Sequence, residues 1–154
     1  MENKKEEYTI IVDSREQNAL WMKSSKRTKI KKEKLDTGDY SAKGYEDKIC
    51  LERKSLGDLF GSLGKGHKRF RKELERARSL DYFAIIIEGS IMSILNKEWE
   101  GSYHTKMRGY VILKILCTLQ VKYGIHVIYA GSRKGAKRVI MQLLKSYIKK
   151  EEKK

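Results

Sequence analysis

The run at residues 82–89, "YFAIIIEG", restricts this chain more than any other stretch. Its apolar residues do not alternate with polar ones, so a strand made from it must be covered on both faces. A central strand of that kind needs a layer of helices on each side. Three segments have the right periodicity to supply them. In "KRFRKELERARSL" (68–80), Phe70, Leu74 and Ala77 recur at helical spacing. From about 103 to 123, Met107, Tyr110, Val111, Lys114, Cys117 and Val121 fall near one stripe. From about 133 to 149, Ala136, Val139, Ile140, Leu143, Leu144 and Tyr147 share a face.

Further strands are expected at "YTIIVD" (8–13), "DKICLERK" (47–54) and "IHVIYA" (125–130). "TKIKKEKLDTGDYSA" (28–42) alternates loosely and is expected to be an exposed strand entering a turn. A hairpin first, then strands alternating with helices, predicts an α/β domain with one mixed central sheet flanked by helices. The 154 residues suit a single domain, with a core over about 8–148 and a frayed tail, "KKEEKK".

The charge balance points to a partner. With 35 Lys and Arg against 20 Asp and Glu, the net charge is +15. Such an excess attracts polyanions, nucleic acid first among them. A membrane surface suits it less, because the basic residues are spread along the chain. No apolar run approaches the length of a membrane span, and the polar N-terminus is unlike a signal peptide, so a soluble intracellular protein is expected. In a prokaryote or virus that means the cytoplasm. Cys50 and Cys117 have no metal-ligand spacing and are expected to be small buried hydrophobes in a reducing compartment.

Against this background, "GDYSAKGYEDKICLERKSLGD" (38–58) places charges where a strand should bury apolar groups. A hairpin centred between Tyr45 and Glu46 sets Asp39 opposite Glu52. Cross-strand partners have Cβ atoms roughly 5 Å apart on one face, so the two carboxylates repel unless a cation lies between them. Lys54 points to the same face as Glu52, and Arg53 to the other. Two acids and a lysine are the parts phosphodiester hydrolysis needs: ligands for Mg²⁺ or Mn²⁺, and a cation to orient water or stabilise the phosphorane. Asp13 and Glu16, at the end of "IIVDSRE", stand ready to join the same metal, and Asp58 to lie at the rim. The competing reading is a solvated strand edge whose charges guard against aggregation.

These residues resemble a known family. The order "VDSRE" (12–16), "GDYS" (38–41) and "ERKSLGDLFGSL" (52–63) is similar to the XPF/Mus81/ERCC4 nuclease domain, a branch of the restriction-endonuclease-like PD-(D/E)XK fold marked by GD…ERKxxxD. The likeness continues through "YFAIIIEG" and "VIYAGSRKGAKRVIMQLLK" (127–145), over roughly residues 8–148. It implies that Asp39 and Glu52 ligate the metal, that Lys54 assists the attacking water, and that Asp13 and Glu16 complete the cluster, with Asp13 a further ligand. It implies that Arg53 and Asp58 support the site or contact DNA. Branched, flapped or junction-bearing DNA, Mg²⁺ with Mn²⁺ as substitute, and a homodimer through the C-terminal helices follow from the same resemblance.

The chain departs from the family in two places. "GKGHKRFRKE" sets His67 and Lys68 ahead of Arg69-Phe70 where the family has Gly-Arg-Phe, so the DNA-contacting loop is expected to differ. No room is left within the 154 residues for the tandem helix-hairpin-helix module or helicase of cellular members.

The remaining features are weaker. "GSLGKGHK" (61–68) lacks the Lys-Ser/Thr pair of a phosphate loop, and its strand-helix context is wrong for a KH domain. A glycine-rich loop whose Lys65, His67, Lys68 and Arg69 meet DNA phosphates fits it better, and Arg15 is a further candidate contact. "SSKRTKIKK" (24–32) divides evenly between phosphate binding and a solvated face. His104 and His126 are isolated, with His126 packed or solvated within a strand. Trp21 and Trp99 are expected to pack and not to stack on bases. Two other functions remain open: an inactive DNA-binding partner subunit, which would usually lack acids at the GD or ERK positions, and a basic RNA-binding protein, for which no motif is present.

Overall fold

The computed structural model describes residues 7–16 and 24–154; Trp21 lies outside them. Six strands form one mixed sheet. They are β1 (Tyr8–Asp13), β2 (Thr28–Glu33), β3 (Tyr40–Ala42), β4 (Ile49–Lys54), β5 (Tyr82–Ile87) and β6 (His126–Tyr129), in the spatial order β2-β1-β3-β4-β5-β6. β5 is inside the sheet and Phe83 through Ile87 are all buried, as its unbroken apolar run demands.

The segment 28–42 is two strands and not one. β2 runs parallel to β1 on its outer side, while β3 runs antiparallel to β1 on its inner side. Between them the chain must cross the end of β1, and Gly38 makes the turn with φ +83°. A side chain there is excluded twice over. Its Cβ would stand 3.1 Å from Cys50 Cβ and 3.2 Å from the Leu51 carbonyl oxygen. The lysines of β2 then guard an open sheet edge.

The pairing of β3 with β4 sets Tyr40 opposite Leu51, the register of a hairpin centred between Tyr45 and Glu46. After β4, α1 (Leu56–Leu63) takes in Gly61, Ser62 and Leu63, which the sequence suggested were loop. Ser55 caps this helix by accepting from the Asp58 N–H, and Leu56, Leu59, Phe60 and Leu63 form its buried face. That burial outweighs the cost of helical glycine, about 1 kcal/mol each. Only residues 64–66 separate α1 from α2 (His67–Ala77), whose Phe70, Leu74 and Ala77 are buried as their spacing predicts.

Three helices complete the fold: α3 (Ile91–Leu95), α4 (Gly109–Tyr123) and α5 (Arg133–Glu152). α4 begins later than expected, after a separate 3₁₀ turn at Ser102–His104. Its inner face is Ile112, Leu116 and Leu119, whereas the predicted stripe faces outward, with Tyr110 58% and Val121 90% exposed. The reason is that α4 is apolar on two sides, so periodicity alone does not choose between them. Cys117 belongs to the outward stripe and is exposed, against the expectation of burial; Cys50 is buried. α5 keeps Ala136, Ile140, Leu144 and Tyr147 inward and continues to Glu152, where a frayed tail was expected. Lys and Glu are good helix formers, and Lys154 pairs with Glu151 at 3.0 Å.

The sheet thus has a core on each face. Cys50, Phe83, Ile85 and Ile87 pack under α1, α2 and α4. Ile10, Val12, Leu51 and Ile86 pack under α5.

Candidate active site

Successive residues of β4 point to opposite faces, so Glu52 and Lys54 turn toward α1 and α2 while Arg53 turns away. Each side of the strand end has its own charge network.

On the α1/α2 side, Asp39 is held against β4 by its backbone and its side chain. Its N–H donates to the Leu51 carbonyl at 2.8 Å, and its Oδ2 accepts from the Arg53 N–H at 2.8 Å. Glu52 is only 6% exposed, and its Oε1 lies 3.4 Å from Lys54 Nζ. Lys54 donates to Ser62 Oγ at 2.8 Å and sits over the Phe70 ring at 5.3 Å. The helix that packs against the sheet here contributes Glu73, which accepts from the Gly38 N–H at 3.4 Å. A groove of about 500 Å³ opens onto Glu52, Lys54, Asp58, Arg69 and Glu73.

The electrostatics match the crowding. Burial and the nearby Glu16 carboxylate push the Asp39 carboxyl up to about 7, against the opposing pull of the Arg53 N–H and Lys54. Burial, then the charges of Asp39 and Glu73, hold Glu52 well above the usual carboxylate range. This pocket therefore resists negative charge unless a cation joins it.

On the α5 side, Arg53 bridges two carboxylates. It donates to Glu16 at 2.9 Å and to Glu88 at the end of β5. Glu16 is thus on the arginine's side of the sheet, although its charge is felt at Asp39. Asp13 adjoins Asp39 on the neighbouring strand, its N–H donating to the Asp39 carbonyl at 2.8 Å, but its carboxylate is paired with Arg15. Arg15 donates to Asp13 Oδ2 at 3.1 Å and to the Leu35 carbonyl at 2.9 Å, while the Leu35 N–H donates to Asp13 Oδ1 at 2.9 Å. Both Asp13 oxygens are therefore engaged in tying β1 to the chain beyond β2. Asp58 lies in the first turn of α1, where a carboxylate favours the helix N-terminus.

Lys65, His67, Lys68 and Arg69 are exposed around the junction of α1 and α2, and the His67 Nδ1 lies 3.0 Å from the Gly64 carbonyl oxygen. Trp99 packs on Phe60 with centroids 4.2 Å apart, and His126 stacks on Tyr82 at 4.4 Å. Sequence reading overlooked Glu73 as a site residue. Its one available signal was helical position: it lies three residues after Phe70 and one before Leu74, both inward-facing.

Among the described residues, no group of three or more His, Cys, Asp or Glu side chains is arranged to hold a metal by itself. Mg²⁺ does not require such a cage, because it keeps several waters and binds through one or two carboxylates plus substrate phosphate. The Asp39–Glu52 pair, buried and reluctant to ionise, fits that mode.

A sequence model of the ERCC4 domain matches residues 12–143. The chain belongs to the ERCC4 domain family. Among solved structures, this ERCC4 domain is similar to XPF from Aeropyrum pernix, with TM-score 0.69 and 25% identity over 91% of the present chain and 65% of that one. A structure of the same XPF in complex with DNA gives TM-score 0.68 and 25% identity over 92% and 66%. The chain therefore spans about two thirds of the length of these relatives. No curated protein matches it. The mixed sheet flanked by helices is the restriction-endonuclease-like fold of the XPF nuclease domain. No helix among the described residues is long and apolar enough to cross a membrane.

Proposed function

We propose that this ERCC4 domain is a divalent-metal-dependent endodeoxyribonuclease that hydrolyses or nicks DNA. The observation that carries the proposal is the pair of buried, mutually repelling carboxylates, Asp39 and Glu52, with Lys54 Nζ 3.4 Å from Glu52. Burying two acids that repel each other costs the fold stability, and a bound cation would offset that cost.

Each residue then has a role. Asp39 and Glu52 would hold Mg²⁺, for which Mn²⁺ would substitute, and Glu73 would lend its charge from the helix side. When bound, the ion supplies Lewis-acid charge at the scissile phosphate. Lys54, steered by Ser62 and Glu52, orients the attacking water and stabilises charge on the phosphoryl oxygens. Arg53 keeps the end of β4 in place by bridging Glu16 and Glu88, and its N–H aims the Asp39 carboxylate. Asp13 joins the metal only by releasing Arg15, which would then be free for a phosphate.

DNA is the proposed substrate. The net charge of +15, and the exposed Lys65, His67, Lys68 and Arg69 beside the groove, support it, as does the DNA complex of the similar XPF. Branched or nicked duplexes, and a homodimer through the C-terminal helices, are the finer parts of the proposal. The outward apolar stripe of α4 supports the dimer.

End-labelled duplex, flap, fork and four-way-junction DNAs, with Mg²⁺, Mn²⁺ or EDTA, test the reading. The native protein should cut in either metal and not in EDTA, and Asp39→Asn with Glu52→Gln should cut nothing. Tight binding without cleavage of any substrate in any metal would instead identify an inactive DNA-binding subunit.

A further inference from the structure

A second groove lies alongside the catalytic one. Its volume is about 610 Å³, and it runs between α1 and the segment 99–107. Gly57 and Gly61, one helical turn apart, line both grooves. The two spaces are therefore neighbours across a strip of helix that carries no side chains. A Cβ at Gly61 would meet nothing within 4 Å, and one at Gly57 would come 3.7 Å from the indole Nε1 of Trp99.

The lining of the second groove is chemically distinct from that of the first. It contains no carboxylate; its distinguishing side chains are Trp99, His104, Lys65 and Lys106. Both lysines are exposed, and among the described residues neither is ion-paired. The indole N–H of Trp99 likewise has no acceptor among the described residues. Aromatic surfaces beside unpaired ammonium groups are how proteins hold single-stranded nucleic acid, with rings against bases and cations along the backbone. The volume lies within the range of about 300–1,000 Å³ typical of pockets for small organic ligands, which suits individual nucleotides and not a double helix.

We propose that this groove receives a single-stranded DNA segment continuing from the phosphate held in the catalytic groove, its backbone crossing α1 at Gly57 and Gly61. The proposal rests on the nuclease reading for what occupies the first groove. It gives Trp99, taken from sequence as a packing residue, a second task as a base-contacting wall. It gives the solitary Lys106 a phosphate partner. An acidic peptide would be the other anionic occupant, but continuity with the catalytic groove favours the nucleic acid strand.

Binding measured in EDTA separates this inference from the nuclease reading. The probes are a short fluorescein-labelled oligothymidylate and a blunt duplex, and the readout is anisotropy. Lys106→Glu should weaken single-strand binding about tenfold and change duplex binding less than about twofold. Trp99→Phe, which keeps an aromatic ring against Phe60, should give a smaller loss of the same selectivity. Lys106 is exposed, so its variant folds and decides the matter even where a tryptophan variant is destabilised. Native protein that ignores the single strand, or losses equal on both probes, overturns the proposal. No loss with Lys106→Glu overturns it too. A protein that shows the selective loss yet cleaves nothing in any metal sinks the nuclease reading alone.

Discussion

Asp39 and Glu52 carry most of the proposed chemistry, and their cost is measurable without any substrate. Both carboxyls titrate higher in the fold than in an open chain, Asp39 at about 7 against an ordinary value near 3.8. An acid whose folded pKa is raised imposes no penalty below its unfolded value. The penalty grows as pH rises from the unfolded value to the folded one, because only the unfolded chain ionises freely in that range, and it is constant above it. The metal-free protein should therefore lose thermal stability between about pH 4 and pH 8 relative to the Asp39→Asn, Glu52→Gln variant. Saturating Mg²⁺ should raise the melting temperature of the native protein at about pH 8 and leave the variant unmoved. Parallel melting curves in Mg²⁺ and EDTA across that range are the check; equal responses from both proteins would remove these two acids from the metal site. The neighbours divide differently. Lys54→Met should retain the cation-induced shift while cleavage falls about 100- to 1,000-fold, as expected for a group that acts on the transition state. Glu73→Gln should weaken cation binding by about tenfold, read by calorimetry, since it acts beside the ligands. An unchanged affinity would make Glu73 only a contact for the Gly38 N–H.

At the scale of elements, the tight places are where helices and strands approach through glycine. Gly109 opens α4 against α3, and a Cβ there would stand 2.2 Å from the Ile94 carbonyl oxygen. Gly38 combines positive φ with contact against β4. Gly38→Ala should cost at least about 1–2 kcal/mol from the left-handed backbone alone, and it should depress cleavage as well, because the residue it displaces is Asp39. Gly109→Ala should destabilise comparably or more while the metal response survives in whatever folds. Urea unfolding of the two variants, with Mg²⁺ titrated into each, distinguishes the cases. The same elements explain what could be read in advance. Strands with an unbroken apolar run or a charged end, β5 and β4, were legible because burial on both faces and a carboxylate pair leave few alternatives. The Asp39–Glu52 register followed from turn length, and the family signature lay in contiguous residues. What escaped was set by tertiary contact. α1 forms across two internal glycines because its apolar face is covered. α3, at five residues, is too short to show a period. Glu73 reaches the site only because α2 docks on the sheet, a juxtaposition with no trace in linear spacing.

For the whole molecule, the outward face of α4 poses the main physical question. Tyr110, Cys117 and Val121 recur at helical spacing on the side away from the core, and Tyr110 and Val121 are 58% and 90% exposed. The helix already buries Ile112, Leu116 and Leu119, so this second, largely apolar stripe, interrupted by the exposed Lys114, does nothing for the fold of one chain. Water is a poor neighbour for it, and a second copy of the chain, which shares the same stripe, can cover it symmetrically. The cysteines make the argument testable from two directions. Cys50 is buried with its thiol pushed up to about 12, so it should ignore a thiol reagent at about pH 8 until the protein unfolds. Cys117 is exposed in the single chain and should react at once in a monomer, but slowly, and more slowly as concentration rises, in a dimer. Val121→Asp should restore fast labelling of Cys117 and halve the mass seen by light scattering. Its melting temperature should stay close to that of the dissociated native protein, because the substitution touches no core contact. A native protein that is monomeric at every concentration, with Cys117 always reactive, would leave the stripe uncovered and remove the homodimer from the account of how this domain meets DNA.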